Sequence, residues 1–127
     1  MIKLVASDLD GTLLRNGAQQ RNPQVFDLIR RLRELGVLFV AASGRQFPIM
    51  RTMFGPVADE IGYICENGAL VYAEQKFLYQ DTLPEDLAKE IMEAIWERDG
   101  AEMTMSGIYT YYVRPKTEEF RRLIWDY

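Results

Sequence analysis

Residues 2–14, IKLVASDLDGTLL, constrain the fold more than any other stretch of this chain. A short apolar run, Ile2, Leu4, Val5 and Ala6, stops at a turn signal built from Asp8, Asp10 and Gly11. A run this short with such an end reads as a buried strand. Asp8 and Asp10 then fall at its carboxyl end, where open parallel sheets place their ligands. They are i and i+2, so on a continuing strand both side chains share a face. Two anions this close repel unless a cation or a shared proton separates them. A hard, oxygen-seeking ion such as Mg²⁺ meets that need and can bring a phosphate with it. One carboxylate can then attack phosphorus while the other moves a proton. Gly11 lets the backbone approach a ligand closely. The tetrad DLDG alone is equally a solvated turn, because Asp and Gly dominate turns. A calcium loop does not fit, since no oxygen ligands follow at the spacing of an EF-hand and no acid closes a twelve-residue loop.

The rest of the chain alternates between strand and helix. Arg15-Asn16-Gly17 marks a tight turn. Asn22 suits a helix N-cap and Pro23 the first helical position. Val25, Phe26, Leu28, Ile29, Leu32 and Leu35 then form an apolar stripe, with Arg30, Arg31 and Arg33 on a solvated face and Gly36 at the end. Residues 37–42, VLFVAA, predict a second strand buried on both faces. Strand, helix, strand is a right-handed parallel crossover. The second strand ends in Ser43-Gly44-Arg45, ahead of a helix over 47–54. A hydroxyl and a glycine before a helix N-terminus suit a phosphate oxygen, although an ordinary Ser-Gly turn has the same composition. Residues 61–65 predict a third strand, ending at Glu66-Asn67-Gly68, and 70–72 with 76–79 a hairpin.

A boundary falls near Asp81. Thr82 to Glu85 has the pattern of a capping box, opening an amphipathic helix to about residue 99. Two strands over 101–105 and 108–113 turn at Ser106-Gly107, and a last helix opens from Lys116. Tyr109, Tyr111 and Tyr112 are expected to pack that small sheet.

Composition excludes several classes. The 127 residues are 48% apolar and 27% charged, which allows a packed core. A net charge of −4 and a pI near 4.9 argue against nucleic-acid binding, which needs a basic face. There is no histidine, which removes histidine triads and histidine-bearing zinc sites. Cys65 is the one cysteine and lies in an apolar run, so it reads as a small buried hydrophobe. No segment approaches membrane-spanning length and no signal-peptide pattern opens the chain, so a cytoplasmic protein without membrane partners is expected.

The apolar strand followed by DLDGTLL resembles the first motif of the haloacid dehalogenase superfamily, whose members are mostly aspartate-nucleophile phosphatases. The resemblance implies that Asp8 is the nucleophile and Asp10 the general acid/base. It further implies that the Asp8 carboxylate and the Asp10 backbone carbonyl bind Mg²⁺. In register with this motif, Ser43 matches the hydroxyl that holds the transferring phosphoryl group, with Thr12 and backbone amides after Asp8 as further holders. The string AASGR is similar to the Cof-type subgroup, which places Gly44 and Arg45 in the substrate region. Arg45 is left with three reaches: substrate, a helix end or a carboxylate. That subgroup also has Asn-Gly-Ala after its third strand, with the asparagine facing the cleft, which matches Asn67; turn chemistry explains the same dipeptide.

The implied architecture is α/β: a partial Rossmann-like parallel-sheet core over 1–80 and the beginning of an inserted α+β cap over 81–127. The residues before Asn22 would form a flap over the site. The implied activity is Mg²⁺-dependent hydrolysis of a small phosphorylated metabolite through an aspartyl phosphate. The resemblance covers the whole chain but only the front half of a family member, so a fragment, itself inactive, is expected. A core lysine is missing, because Lys76, Lys89 and Lys116 fall in the hairpin or the cap. The first strand, central in the family, would here be an apolar edge open to self-association. Two rivals stand beside this reading. A phosphoacceptor signalling domain would need its acceptor on a later strand. A catalytically inactive remnant of the same fold would act as a binding or scaffold module.

Overall fold

A computed structural model describes residues 1–14 and 23–125 of the chain. The chain divides into two compact units, Met1–Asp81 and Thr82–Tyr127. The first unit runs β1 (Leu4–Asp8), α1 (Gln24–Glu34), β2 (Leu38–Ala42), α2 (Phe47–Met53), β3 (Gly62–Cys65), β4 (Leu70–Ala73) and β5 (Lys76–Gln80). Its sheet has the order β1-β2-β3-β4-β5. β1, β2 and β3 run parallel, and β4 and β5 extend the sheet as an antiparallel hairpin. The register sets Asp8 opposite Ala42 and Ala42 opposite Ile64, so the carboxyl ends of three strands lie side by side.

The apolar pattern accounts for the packing. Ile29 on α1 is buried, and with Phe39, Met50, Phe54, Tyr63, Cys65 and Leu70 it builds one core. Gly36 takes φ +69°, a left-handed value that only glycine adopts without strain, and so ends α1. Tyr63 is fully buried. Its ring meets Phe47 edge-on at 5.6 Å, and its hydroxyl donates to the Ala58 carbonyl at 2.8 Å. Burial pushes that phenol well above its usual range and pushes the Cys65 thiol up to about 12, so neither ionises near neutrality. Cys65 is a buried free thiol.

Two readings of this unit need correction. The helix start at Asn22 lies outside the described residues, and Pro23 occupies the N-cap position with helical backbone rather than the first helical position. β2 is buried on both faces as its sequence predicts, but β1 is not: burial alternates along it. Val5 packs on the core, whereas Leu4 is 52% exposed. β1 is the edge strand of the described sheet, and a strand with one packed face alternates whatever its composition.

The second unit contains α3 (Glu85–Trp96), the two-stranded sheet β6 (Thr104–Ser106) and β7 (Tyr111–Val113), and α4 (Glu118–Trp125). The capping box does not form: α3 opens after Pro84, without a side-chain cap. Glu102 instead closes the start of α4. Its carboxylate accepts from the backbone N–H of Lys116 at 3.0 Å and of Thr117 at 2.8 Å, and from the Thr117 hydroxyl at 2.7 Å. Partial desolvation pushes the Glu102 carboxyl up, and these hydrogen bonds outweigh it, leaving the group below its ordinary value. Lys116 Nζ donates to the carbonyls of Ile95 at 2.9 Å and Arg98 at 2.7 Å, at the end of α3. The sheet turns over 107–110 rather than at Ser106-Gly107, with the Gly107 N–H on the Thr110 carbonyl. Tyr109, Tyr111 and Tyr112 are exposed, against expectation, because a two-stranded ribbon this short has little sheet surface to bury them. No described helix is long and apolar enough to cross a membrane.

Candidate active site

The site collects at the carboxyl ends of β1, β2 and β3. Asp8 closes β1. The next residues fold back at once: the N–H of Thr12 and of Leu14 donate to the Leu9 carbonyl, and that of Gly11 to the Leu14 carbonyl. Gly11 at φ +86° makes this turn possible. Leu9 and Leu14, both buried, anchor the turn in the core, so Asp8, Asp10 and Thr12 are left at the surface. The Thr12 hydroxyl reaches the Asp8 carboxylate at 3.4 Å.

The β2 end brings Ser43, Gly44 and Arg45 to the same place. The Ser43 N–H donates to the Ile64 carbonyl at 2.9 Å, extending the β2–β3 ladder by one residue. The Ser43 hydroxyl accepts from the Arg45 N–H at 3.3 Å. The Arg45 guanidinium crosses to Asp10, with Nε 3.2 Å from one carboxylate oxygen and its terminal nitrogen 2.8 Å from the other. Of the three reaches open to Arg45, the structure takes the carboxylate. The hydrogen bonds from Arg45 hold the Asp10 carboxyl below its usual range, assisted by the guanidinium charge and opposed by slight burial.

Asn67 arrives from β3. It and Glu66 hold left-handed backbone, at φ 54° and 52°. Asn tolerates that region better than most residues, and the Asn67 N–H donates to the Ser43 carbonyl at 3.3 Å. Its side chain lies over Gly44: a Cβ there would come within 2.9 Å of the Asn67 amide oxygen. Gly44 thus makes room for Asn67, a role that its place in the motif does not disclose. The turn at 15–17 and the flap implied for it lie outside the described residues.

Asp8 and the Asp10 main chain offer oxygen donors at one exposed strand end, a set that suits Mg²⁺, which commonly takes one or two protein carboxylates and completes its shell with water and phosphate. Among the described residues no group of three or more Asp, Glu, Cys or His gathers as a metal cage. Lys76 pairs with Glu74 at the β4–β5 hairpin, and within the second unit Lys89 pairs with Glu85 and Lys116 caps α3.

A crossover α/β sheet that brings paired acids, a hydroxyl and an asparagine to adjacent strand ends is the class of scaffold this chain presents. The family model for haloacid dehalogenase-like hydrolases matches residues 5–123, and the chain belongs to that family. It is 28% identical over 123 residues to the 5-amino-6-(5-phospho-D-ribitylamino)uracil phosphatase YbjI of Escherichia coli, covering 97% of this chain and 45% of that protein. It is 31% identical to phosphoglycolate phosphatase 1 of Saccharolobus solfataricus, covering 78% of this chain and 44% of that one. A crystal structure from Eubacterium rectale superposes with a TM-score of 0.82 at 28% identity, over 96% of this chain and 47% of the other. The chain therefore spans less than half the length of these relatives.

Proposed function

We propose that this chain carries the nucleophile half of a phosphomonoester hydrolase. Asp8 attacks phosphorus and forms an aspartyl phosphate, while Asp10 gives a proton to the leaving oxygen and later takes one from the attacking water. Ser43 and Thr12 hold phosphoryl oxygens, and Asn67 faces the same cleft. A bound Mg²⁺ supplies positive charge for the phosphoryl oxygens, with the Asp8 carboxylate and the Asp10 main-chain carbonyl as its protein ligands. The Arg45 fork occupies the Asp10 side chain, which favours the main-chain carbonyl as what Asp10 offers an ion. One observation carries the reading: Arg45 bonds both Ser43 and Asp10, so the β1 and β2 ends form one site. The substrate is a small phosphorylated metabolite, and the residues after Asp81 are the opening of a cap over the core.

The test, in the complete enzyme, is turnover of a phosphomonoester such as para-nitrophenyl phosphate with Mg²⁺, together with loading of beryllofluoride. Asp8→Asn is expected to abolish both. An Asp8→Asn chain that turns over normally overturns the assignment.

A second reading is a binding module without turnover. It is favoured by the pairing of Lys76 with Glu74 in the hairpin of the first unit, because loss of one fixed donor to a developing charge costs about 10²–10³ in rate. Beryllofluoride loading without hydrolysis is its signature.

A further inference from the structure

Arg45 joins the ends of all three parallel strands. Its own N–H donates to Ser43 Oγ at 3.3 Å, and its carbonyl accepts from the Glu66 N–H at 3.2 Å. Gly44, just before it, lies beneath the Asn67 carboxamide. Its root is thus held by the β2 and β3 ends, while its tip grips Asp10 beyond the β1 end through two hydrogen bonds, at 3.2 and 2.8 Å. A guanidinium presents its N–H groups in a rigid plane, so a two-point contact admits one orientation of the carboxylate. A Lys ammonium at the same place would supply charge without direction. Asp10 has need of such a hold: its side chain is 58% exposed, on a turn whose other fixed points are main-chain bonds and the buried Leu9 and Leu14.

We propose that Arg45 is a positioning residue for Asp10, setting the direction of its carboxylate beside Asp8 while the β3 end fixes Arg45 itself. The proposal rests on the acid/base reading of Asp10 for its kinetic consequence and on the contacts alone for its structural one. It assigns Arg45 to the acid rather than to the substrate.

The experiment uses the full chain as wild type, Arg45→Gln and Arg45→Lys. Three-bond NMR couplings at the Asp10 β-protons read its rotamer, and turnover of para-nitrophenyl phosphate with Mg²⁺ reads the consequence. Wild type is expected to show one Asp10 rotamer, Arg45→Gln an average over several, and Arg45→Lys partial averaging with its charge kept. Turnover in Arg45→Gln is expected to lose roughly tenfold to a hundredfold in kcat, in line with the cost of misplacing a reacting group, with KM changed less than about twofold. Averaged couplings in wild type, or wild-type couplings in both variants, overturn the proposal. A raised KM with kcat intact also overturns it, because Arg45 would then be a substrate contact. If Arg45→Gln does not fold, Arg45→Lys decides by the same couplings. Absence of turnover in wild type accords with the inactivity expected of this chain by itself, and the couplings then decide Arg45.

Discussion

At position 44 only a hydrogen fits beneath the Asn67 amide. Gly44→Ala would bring a methyl to 2.9 Å of its oxygen, and the side chain must swing away. Because that amide is the free end of a short side chain, the cost is expected near the low end of overpacking, about 1 kcal/mol. A displaced Asn67 side-chain amide resonance with a slightly lower melting temperature checks this. Asp10 supplies a pH signature. Its folded pKa lies below the ordinary 3.8, so the Arg45 pair stabilises the fold above pH ~4 and is lost as pH falls through the folded value. The pair is partly exposed, so its worth is at most about 1 kcal/mol. Denaturation of wild type and Asp10→Asn should differ at pH 7, and the gap should close as pH falls through the folded value; a constant gap refutes it. Asp8, Asp10 and Ser43 were legible in the sequence because each punctuates an apolar run. The pairing of Arg45 with Asp10 was not, because 35 residues separate them and three reaches were equally open to the side chain.

At the scale of elements, β2, β3 and α2 carry the stability of the first unit. Met50 is fully buried in the cluster with Phe54 and Tyr63. Met50→Ala is expected to cost about 2–4 kcal/mol, from lost transfer energy plus the cavity left behind, and chemical denaturation measures it directly. A cost under about 1 kcal/mol would mean that the aromatic cluster closes over the gap. Strand and helix positions were readable from periodicity because each is a local property. The start of α3 was misread: Pro84 holds extended backbone at ψ 142°, which keeps Thr82 outside the helix. α4 has a local cap, the Thr117 hydroxyl accepting from the Phe120 N–H at 3.1 Å, and a distant one from Glu102, 15 residues before Thr117, a distance at which no local pattern signals a pairing.

For the whole molecule, the buried apolar residues among those described all belong to the first unit, ending at Ala73. Among the described residues, β1 leaves one edge of that unit's sheet without a partner strand, with Ile2 70% and Leu4 52% exposed on β1 or just before it. Such an edge pairs readily with another strand, so self-association of the chain is expected. Sedimentation should show a mass that rises with concentration, and Leu4→Lys, a charge on the edge, should return it to monomer. A monomer at all concentrations in wild type would refute this. Taken by itself, the sequence determined the order of strands and helices and put two acids, a serine and an asparagine at strand ends, since hydrophobic period and turn chemistry act over a few residues. Tertiary structure alone decided that burial alternates along β1, that Gly44 makes room for Asn67, and that Arg45 serves Asp10. Those outcomes depend on which strand ends become neighbours in space, and the register of a parallel sheet is settled by packing between segments far apart in the chain.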